Sequence, residues 1–260
     1  MTERTSCRFS LTGLAFLAIF LAIFLTRDLW DPDYFWHLAT GEYIVAHGEI
    51  PRADIFSFSQ PDKPWVAHEW LFQLLLYLIH AALGDVGVKL MVAGAATLAL
   101  YIGFLSARMF APQGWAPLLI LLLALIPFLG SLSPRPQLFS FVLFAAYLHV
   151  LLGVKYAGRP YRSLFWLPPL MVVWVNAHGG YVVGIALIGL FALAEFATAW
   201  WRGMDQAGRR YIGVLVLVFV ATLLASAVNP DHFKHWIYPF EVMQMEASQS
   251  MISEWASPNF

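Results

Sequence analysis

Long apolar runs recur along this chain, and they constrain its fold more than any other feature. Several approach the roughly 20 residues that an α-helix needs to cross a bilayer. With 60% apolar and 12% charged residues over 260 positions, the composition is not that of a soluble domain. The sequence therefore predicts an all-α polytopic membrane protein. The runs are 9–26, 70–83, 90–107, 115–132, 138–154, 164–175, 181–201 and 211–228.

The charges between these runs predict how the chain crosses the membrane. Short loops rich in Lys and Arg face the cytoplasm, which places the N-terminus inside and the segment after the first run outside. The remaining basic clusters then lie on the cytoplasmic side only if one of the apolar runs does not cross the membrane. The run 70–83 would be about 21 Å long as a helix, short of a core about 30 Å thick. The basic clusters are Arg4 and Arg8, Arg108, Lys155 with Arg159 and Arg162, and Arg202 with Arg209 and Arg210.

We therefore predict about seven transmembrane helices, with the C-terminus outside and the first run retained as a signal anchor. The outer loop 28–88 would carry two juxtamembrane helices, 34–47 and 69–83, and 229–260 would form an outer C-terminal segment. The alternative for 70–83 is a short tilted span that lines a cavity. No basic stripe runs along the chain, so nucleic acid is not an expected partner.

A polar, aromatic segment after the first run contains Asp31-Pro32-Asp33. Pro32 favours an extended Asp31, while Asp33 can cap the helix 34–47, which Gly48 would end. Partial desolvation would raise the pKa of an aspartate beside these aromatic residues, so Asp31 and Asp33 are the candidate catalytic residues. A mere helix cap is the competing interpretation. A divalent metal bridging both carboxylates stays open but is not favoured.

Three further candidates, for substrate binding, lie near the same predicted face. His37 is four residues after Asp33 on one face of the helix, although an interfacial His bonded to the cap is an equal alternative. Glu69 begins the short helix, where the helix dipole alone also favours an acid. Arg135, between Pro134 and Pro136, suits a phosphate at headgroup depth, and ordinary snorkelling to lipid phosphate explains it equally well.

The remaining candidates for substrate binding come from two other outer segments. Asn176 and His178 follow the run 164–175, beside Gly179-Gly180, which allow a close backbone turn. A simple helical hairpin is the alternative there. Glu254 lies in the polar, aromatic segment 229–260, which we interpret as an interfacial lid.

These motifs, in their order and on one predicted side, resemble the GT-C superfamily of integral-membrane glycosyltransferases. The similarity is to bacterial members near the protein mannosyltransferase and aminoarabinose transferase branch. It extends over the whole chain at the level of a seven-span module. It rests on Asp31-Pro32-Asp33-Tyr34-Phe35-Trp36-His37-Leu38-Ala39-Thr40-Gly41, Pro64-Trp65 with Glu69-Trp70, Asn176-Ala177-His178-Gly179 and Glu254-Trp255.

The resemblance implies a sugar donor on a polyprenyl phosphate, bound at the outer face of the bacterial inner membrane, and inverting transfer to a lipid or glycan acceptor. By position, Asp31 or Asp33 would activate the acceptor, while Arg135 and His178 would stabilise the departing phosphate. Two features depart from the family. Pro134-Arg135-Pro136 stands where some members carry a second acidic motif, which puts a bound metal in doubt. Members usually continue with more spans, so a truncated or minimal form, or one with a partner subunit, is expected.

Two other classes of function compete with the transferase. The chain could be a non-catalytic membrane subunit that binds a polyprenyl-phosphate carrier. A small-solute transporter is less favoured, because transporters place polar groups near the bilayer midplane, whereas here they concentrate at the outer ends of the spans.

Overall fold

A computed structural model describes residues 3–26, 28–29, 31–58, 63–112, 115–203, 205–238, 241 and 244. These residues form helices and no strand, apart from one isolated bridge between Ala53 and Pro64. The predicted all-α fold is therefore confirmed. The helices are α1 (Glu3–Thr26), α2 (Tyr34–His47), α3 (Trp70–Ala107), α4 (Ala116–Gly130), α5 (Gln137–Tyr156), α6 (Leu167–Ala177), α7 (Tyr181–Arg202) and α8 (Gln206–Ala225), with 3-10 turns at Tyr161–Trp166 and His232–Trp236.

Four helices, α3, α5, α7 and α8, are long and apolar enough to cross a membrane. The apolar part of α1, Thr12–Thr26, and helix α4 are shorter. Many large apolar side chains on these helices are exposed, among them Leu123 of α4 and Leu193 of α7. Such a surface is unsuited to water and suited to lipid.

The structure has a helix over the predicted residues 34–47, which is α2, while its position at the membrane surface stays a prediction. It ends at Gly48, which has φ 69° and donates its backbone N–H to the Ile44 carbonyl oxygen. Its predicted start needs a correction: Asp33 precedes the helix, but its side chain caps no backbone N–H. The carboxylate instead contacts Arg135 and accepts a hydrogen bond from Trp36 Nε1.

Helix α3 joins two apolar runs that the sequence analysis treated as separate. It begins at Trp70, is broken at Gly84 (φ 61°, ψ −156°) and continues to Ala107. The segment before the break packs against α2, where Tyr34 contacts Phe72 and Leu76. The segment after the break packs against Ile23 and neighbouring residues of α1.

Helices α5 to α8 form the largest core. Trp174 and Tyr147 are fully buried and meet edge to face, with ring centroids 5.3 Å apart. Away from this core, Lys155 near the end of α5 pairs with Glu195 of α7 at 2.5 Å. Because α5 begins beside Arg135, we call that end of the bundle the site end and the end with Lys155 the opposite end.

Candidate functional site

Arg135 connects the turn before α5 to the turn before α2. Its Nε lies 2.7 Å and 2.9 Å from the two carboxylate oxygens of Asp31, and its Nη2 lies 3.1 Å from an oxygen of Asp33. The side chain of Asp31 is 8% exposed, that of Arg135 20% and that of Asp33 42%. Asp31 and Arg135 thus form a nearly enclosed ion pair, and Asp33 is its accessible neighbour.

Local hydrogen bonds hold both partners in place. The Arg135 N–H donates to the Ser133 carbonyl oxygen at 2.7 Å, between two buried prolines that fix the backbone. On the other side, Asp31 accepts the backbone N–H of Asp33, and Tyr34 N–H donates to the Asp31 carbonyl oxygen. The guanidinium and the Asp31 carboxylate are therefore positioned by hydrogen bonds within their own turns.

The charge state of Asp31 differs from our expectation. Burial would raise the pKa of its carboxyl, but hydrogen bonds from Arg135 and from the Asp33 backbone outweigh burial and lower the pKa. We predicted a raised pKa, and that was wrong, because the sequence did not reveal the facing guanidinium. Asp31 is a carboxylate held by a cation, which makes it a weak proton acceptor.

Glu69 is the centre of a second polar group. Its carboxylate lies 3.4 Å from His68 Nε2 and 3.9 Å from His37 Nδ1. Burial alone would lower the pKa of His68, but the hydrogen bond and charge of Glu69 outweigh it and raise the pKa. In turn burial would raise the pKa of Glu69, and the hydrogen bond from His68 lowers it. His68 and Glu69 therefore form a mutually stabilised charged pair.

His37 lies within reach of both groups and is neutral. Burial lowers its pKa to about 4, against the opposing charges of Glu69, Asp33 and Asp31. Its Nδ1 is 3.2 Å from Nε2 of Gln73, which donates to it, so the contact with Glu69 is not an ion pair. The Oε1 of Gln73 is buried and has no hydrogen-bond partner among the described residues.

The turn between α6 and α7 brings His178 to the same end. The Gly180 N–H donates to His178 Nδ1 at 3.0 Å, and the Ser140 hydroxyl lies 2.7 Å from the same atom. An added Cβ at Gly180 would lie 2.5 Å from Ser140 Oγ, so this close turn depends on glycine. With Nδ1 accepting, the proton of neutral His178 is on Nε2, and burial lowers the pKa of the ring.

Asn176 is hydrogen-bonded within the chain. Its Oδ1 accepts from Trp70 Nε1 at 2.7 Å, and its Nδ2 donates to the carbonyl oxygens of Val172 and Val228. This buried amide ties α6 to the start of α3 and to the segment after α8. Its predicted contact with substrate stays a prediction, while its position directly supports the residue next to Glu69.

Sequence reasoning did not single out a group of aromatic residues beside His68. Its ring lies 5.0 Å from Tyr238 and 6.2 Å from His235, and His235 stacks on Tyr181 at 5.4 Å. His235 is buried, its pKa is lowered by burial to about 4, and its Nδ1 has no partner in the described part of the chain. The close spacing of His232, His235 and Tyr238 in the sequence was the available signal.

The structure thus brings together most of the residues that we predicted for the site. Two adjoining groups result, one around Arg135 and one around Glu69, with His37 between their charges. Glu254 lies outside the described residues. Within the described ranges, no three His, Cys, Asp or Glu side chains are arranged to hold a metal ion. The residues brought together are Asp31, Asp33, His37, Glu69, Arg135, Asn176 and His178.

Comparison of the chain with protein-family models, with curated proteins and with solved structures gives no match. The functional conclusion therefore depends on the geometry of the two polar groups and on the chemistry of their side chains.

Proposed function

We propose that the chain is a GT-C-like membrane glycosyltransferase that takes a sugar from a polyprenyl-phosphate donor at the outer face of the membrane. One observation carries the proposal. At one end of an apolar helical bundle, a cation held by two carboxylates adjoins a buried group of histidines around Glu69. The cation would bind the phosphate of the lipid donor. Hydrogen-bonding side chains held in fixed positions would bind its sugar.

We further propose that seven helices cross the membrane, with the N-terminus in the cytoplasm and the site end outside. The opposite end contains the basic residues of the 155–162 and 202–210 segments, as the positive-inside rule requires of cytoplasmic loops. Trp200 and Trp201 at the end of α7 are 76% and 87% exposed, which suits a headgroup boundary. In this arrangement the first part of α3, 70–83, lies along the outer interface.

The Arg135 group suggests how a donor phosphate would bind. Asp33 is the more exposed of the two carboxylates and contacts the guanidinium through one nitrogen, whereas Asp31 is buried and meets Nε with both oxygens. A phosphate that approaches from the lipid side would displace Asp33 and leave Asp31 in place. Asp31 then orients Arg135, and Arg135 stabilises the charge that develops on the departing phosphate.

Displacement of Asp33 from Arg135 by the donor phosphate would give Asp33 a catalytic role. Once it no longer faces the guanidinium, its carboxylate can accept the proton of an acceptor hydroxyl. The acceptor oxygen attacks the anomeric carbon from the face opposite the phosphate. The bond between that carbon and the phosphate oxygen breaks, and polyprenyl phosphate leaves with the electron pair. The proton remains on Asp33 until it is released to solvent.

The Glu69 group would bind the sugar. The His68–Glu69 pair offers a donor and an acceptor with fixed charges, and Tyr238 provides an aromatic surface at its side. Gln73 Oε1 and His235 Nδ1 are buried polar atoms that have no partner among the described residues, and sugar hydroxyls would satisfy them. This placement gives the predicted substrate-binding role to His37, Glu69 and His178.

The non-catalytic alternative is favoured by one specific observation. The charges of Arg135 and Asp31 neutralise each other, so the ion pair is stable without a ligand. Such a pair suits a subunit that binds the carrier and catalyses no reaction. A subunit of that kind would bind polyprenyl phosphate through Arg135 and would not turn over.

Donor binding and transfer, measured separately, test the proposal. The full chain in lipid nanodiscs is incubated with a panel of polyprenyl-phosphate sugars, and binding of polyprenyl phosphate is measured in parallel. Asp33→Asn should keep carrier binding and lose transfer by about 10²–10⁴-fold, the usual contribution of a general base. Asp31→Asn should weaken carrier binding by about tenfold, because Arg135 loses its orienting partner.

Glu49→Gln is the matched control, since this exposed acid of the same proposed outer loop has Tyr43 as its hydrogen-bond partner and no ion-pair partner among the described residues. It should behave as the wild type. If Asp31→Asn and Asp33→Asn also transfer at the wild-type rate, the catalytic assignment is wrong. If no donor is turned over while the carrier binds in an Arg135-dependent manner, the chain is a binding subunit.

A further inference from the structure

A groove runs along the seam between α1 and the second part of α3, away from the two polar groups. It contains two cavities, of about 330 Å³ and 460 Å³, which lie beside consecutive turns of these two helices. The smaller cavity lies between Phe16 and Phe20 of α1 and Gly94 and Tyr101 of α3. The groove is apolar along this length because both helices present aliphatic and aromatic side chains to it.

The larger cavity ends at a cation. Lys89 lines it together with Asp85, at the start of the second part of α3. Asp85 accepts a hydrogen bond from Tyr34 at 3.4 Å and lies 3.5 Å from His80. Lys89, in contrast, has no ion-pair or hydrogen-bond partner within the described part of the chain. A cation without a protein partner at the headgroup end of an apolar groove is complementary to a phosphate with a hydrocarbon tail.

The length of the groove along the helix axis indicates which lipid fits. Lys89 and Tyr101 are 12 residues apart on α3, or about 18 Å along the helix axis. One leaflet of a bilayer is about 15 Å deep, half of a core about 30 Å thick. One acyl chain of an ordinary phospholipid spans that depth, whereas the polyprenyl chain of a carrier lipid is several times longer.

We infer that this groove is a binding site for an anionic phospholipid of the outer leaflet, with one acyl chain between α1 and α3 and the phosphate at Lys89. The site is separate from the proposed donor site and does not require sugar transfer. Tyr34 connects the two, because its hydroxyl contacts Asp85 and its backbone N–H donates to Asp31. A lipid bound here would steady the start of α2, and with it the turn that holds Arg135.

Native mass spectrometry of the full chain tests this inference. The purified protein is stripped of lipid in detergent and titrated with phosphatidylglycerol. The wild type should retain one molecule. Lys89→Gln should weaken retention by about fivefold, the contribution of one lysine near an anionic lipid surface. Gly94→Leu should abolish it, since a Cβ at Gly94 meets nothing within 4 Å and a longer side chain would enter the groove.

Two substitutions outside the groove are the controls. Lys63→Gln removes an exposed outer-loop lysine, and Gly103→Leu adds the same side chain at another open position of α3. Both should retain the lipid as the wild type does. Unchanged retention in Lys89→Gln or in Gly94→Leu would overturn the site. Displacement of phosphatidylglycerol by polyprenyl phosphate, dependent on Lys89, would assign the groove to the carrier instead. A shift from dimer to monomer in Gly94→Leu would assign it to a second copy of the chain.

Discussion

At the scale of single residues, the stability of the site depends on Arg135. If Arg135 is replaced by Gln, the Asp31 carboxylate stays buried but loses the positive charge that offsets the cost of burying it. Removing one member of a buried pair costs about 3–5 kcal/mol, and the 20% exposure of Arg135 reduces that to about 1–3 kcal/mol. Thermal unfolding in detergent measures the loss. Arg52→Gln is the control, because Arg52 is 72% exposed and 3.8 Å from Asp231, and it should cost almost nothing.

The pH dependence of stability follows from the buried histidines. His37 and His235 have pKa values of about 4 in the folded protein, below the usual value of about 6.5. Between these values the unfolded chain binds protons that the folded chain does not, so stability falls as the pH is lowered from about 6.5 toward 4. His37→Gln should flatten the thermal-unfolding profile between pH 7 and 5. The exposed His47→Gln should leave the profile as it is, and equal slopes in the two variants would contradict the prediction.

His68 acts in the opposite direction. Its pKa is raised in the folded protein, so its pair with Glu69 contributes stability that is complete below about pH 6.5 and is lost as the pH rises through the folded value. The protein should therefore be most stable near neutral pH. His68→Gln should remove the decline on the alkaline side of the profile and leave the decline on the acidic side.

Part of the site was predictable residue by residue. The prolines around Arg135 predicted a turn there, and the structure has one, closed by the hydrogen bond from the Arg135 N–H to the Ser133 carbonyl oxygen. The direct contact between Asp31 and Arg135 joins residues 104 positions apart, so no local pattern could reveal it. For the same reason the direction of the Asp31 pKa could not be predicted. The role of His235 also depends on a distant partner, since its ring stacks on Tyr181.

At the scale of elements, the packing of α2 on α3 depends on Gly41. An added Cβ at this position would overlap the Gln73 carbonyl oxygen and lie 2.6 Å from Tyr77 Cβ. Gly41→Ala should force the two helices apart and destabilise the protein by about 1–3 kcal/mol, despite the better helix propensity of alanine. Hydrogen exchange should become faster across Tyr34–His47. The same change at Gly103, where a Cβ meets nothing within 4 Å, should not weaken α2.

The kink in α3 shows how far element boundaries can be predicted from this sequence. The length of the run 70–83 predicted a helix that ends before a second apolar helix, and the break after Leu83 agrees with that division. The structure nevertheless continues the chain through Gly84 without a loop. Only glycine adopts the positive φ at this position without strain, so a single residue redirects the helix. Periodicity and length do not distinguish such a kink from a short loop.

At the scale of the whole molecule, the two ends of the bundle differ in chemistry. The site end contains the acids and histidines of the two polar groups, whereas the opposite end contains exposed aromatic residues above the basic loops. Trp166 is 68% exposed there, near Arg159 and Arg162. An aromatic boundary at the basic end and a cluster of acids and histidines at the other end support the proposal of a site on one face of a membrane.

This asymmetry gives a direct prediction of orientation. The only natural cysteine is first removed by Cys7→Ser, and single cysteines are then introduced at the fully exposed Phe58, in the loop proposed to lie outside, and at Trp201 beside Arg202. In intact cells a membrane-impermeant maleimide should label Phe58→Cys and should label Trp201→Cys only after the membrane is opened. Both sites are exposed in the fold, so a difference in labelling reports the membrane and not local burial. Labelling of Trp201→Cys in intact cells would reverse the orientation and place the Arg135 and Glu69 groups in the cytoplasm, where an outer-face donor cannot reach them.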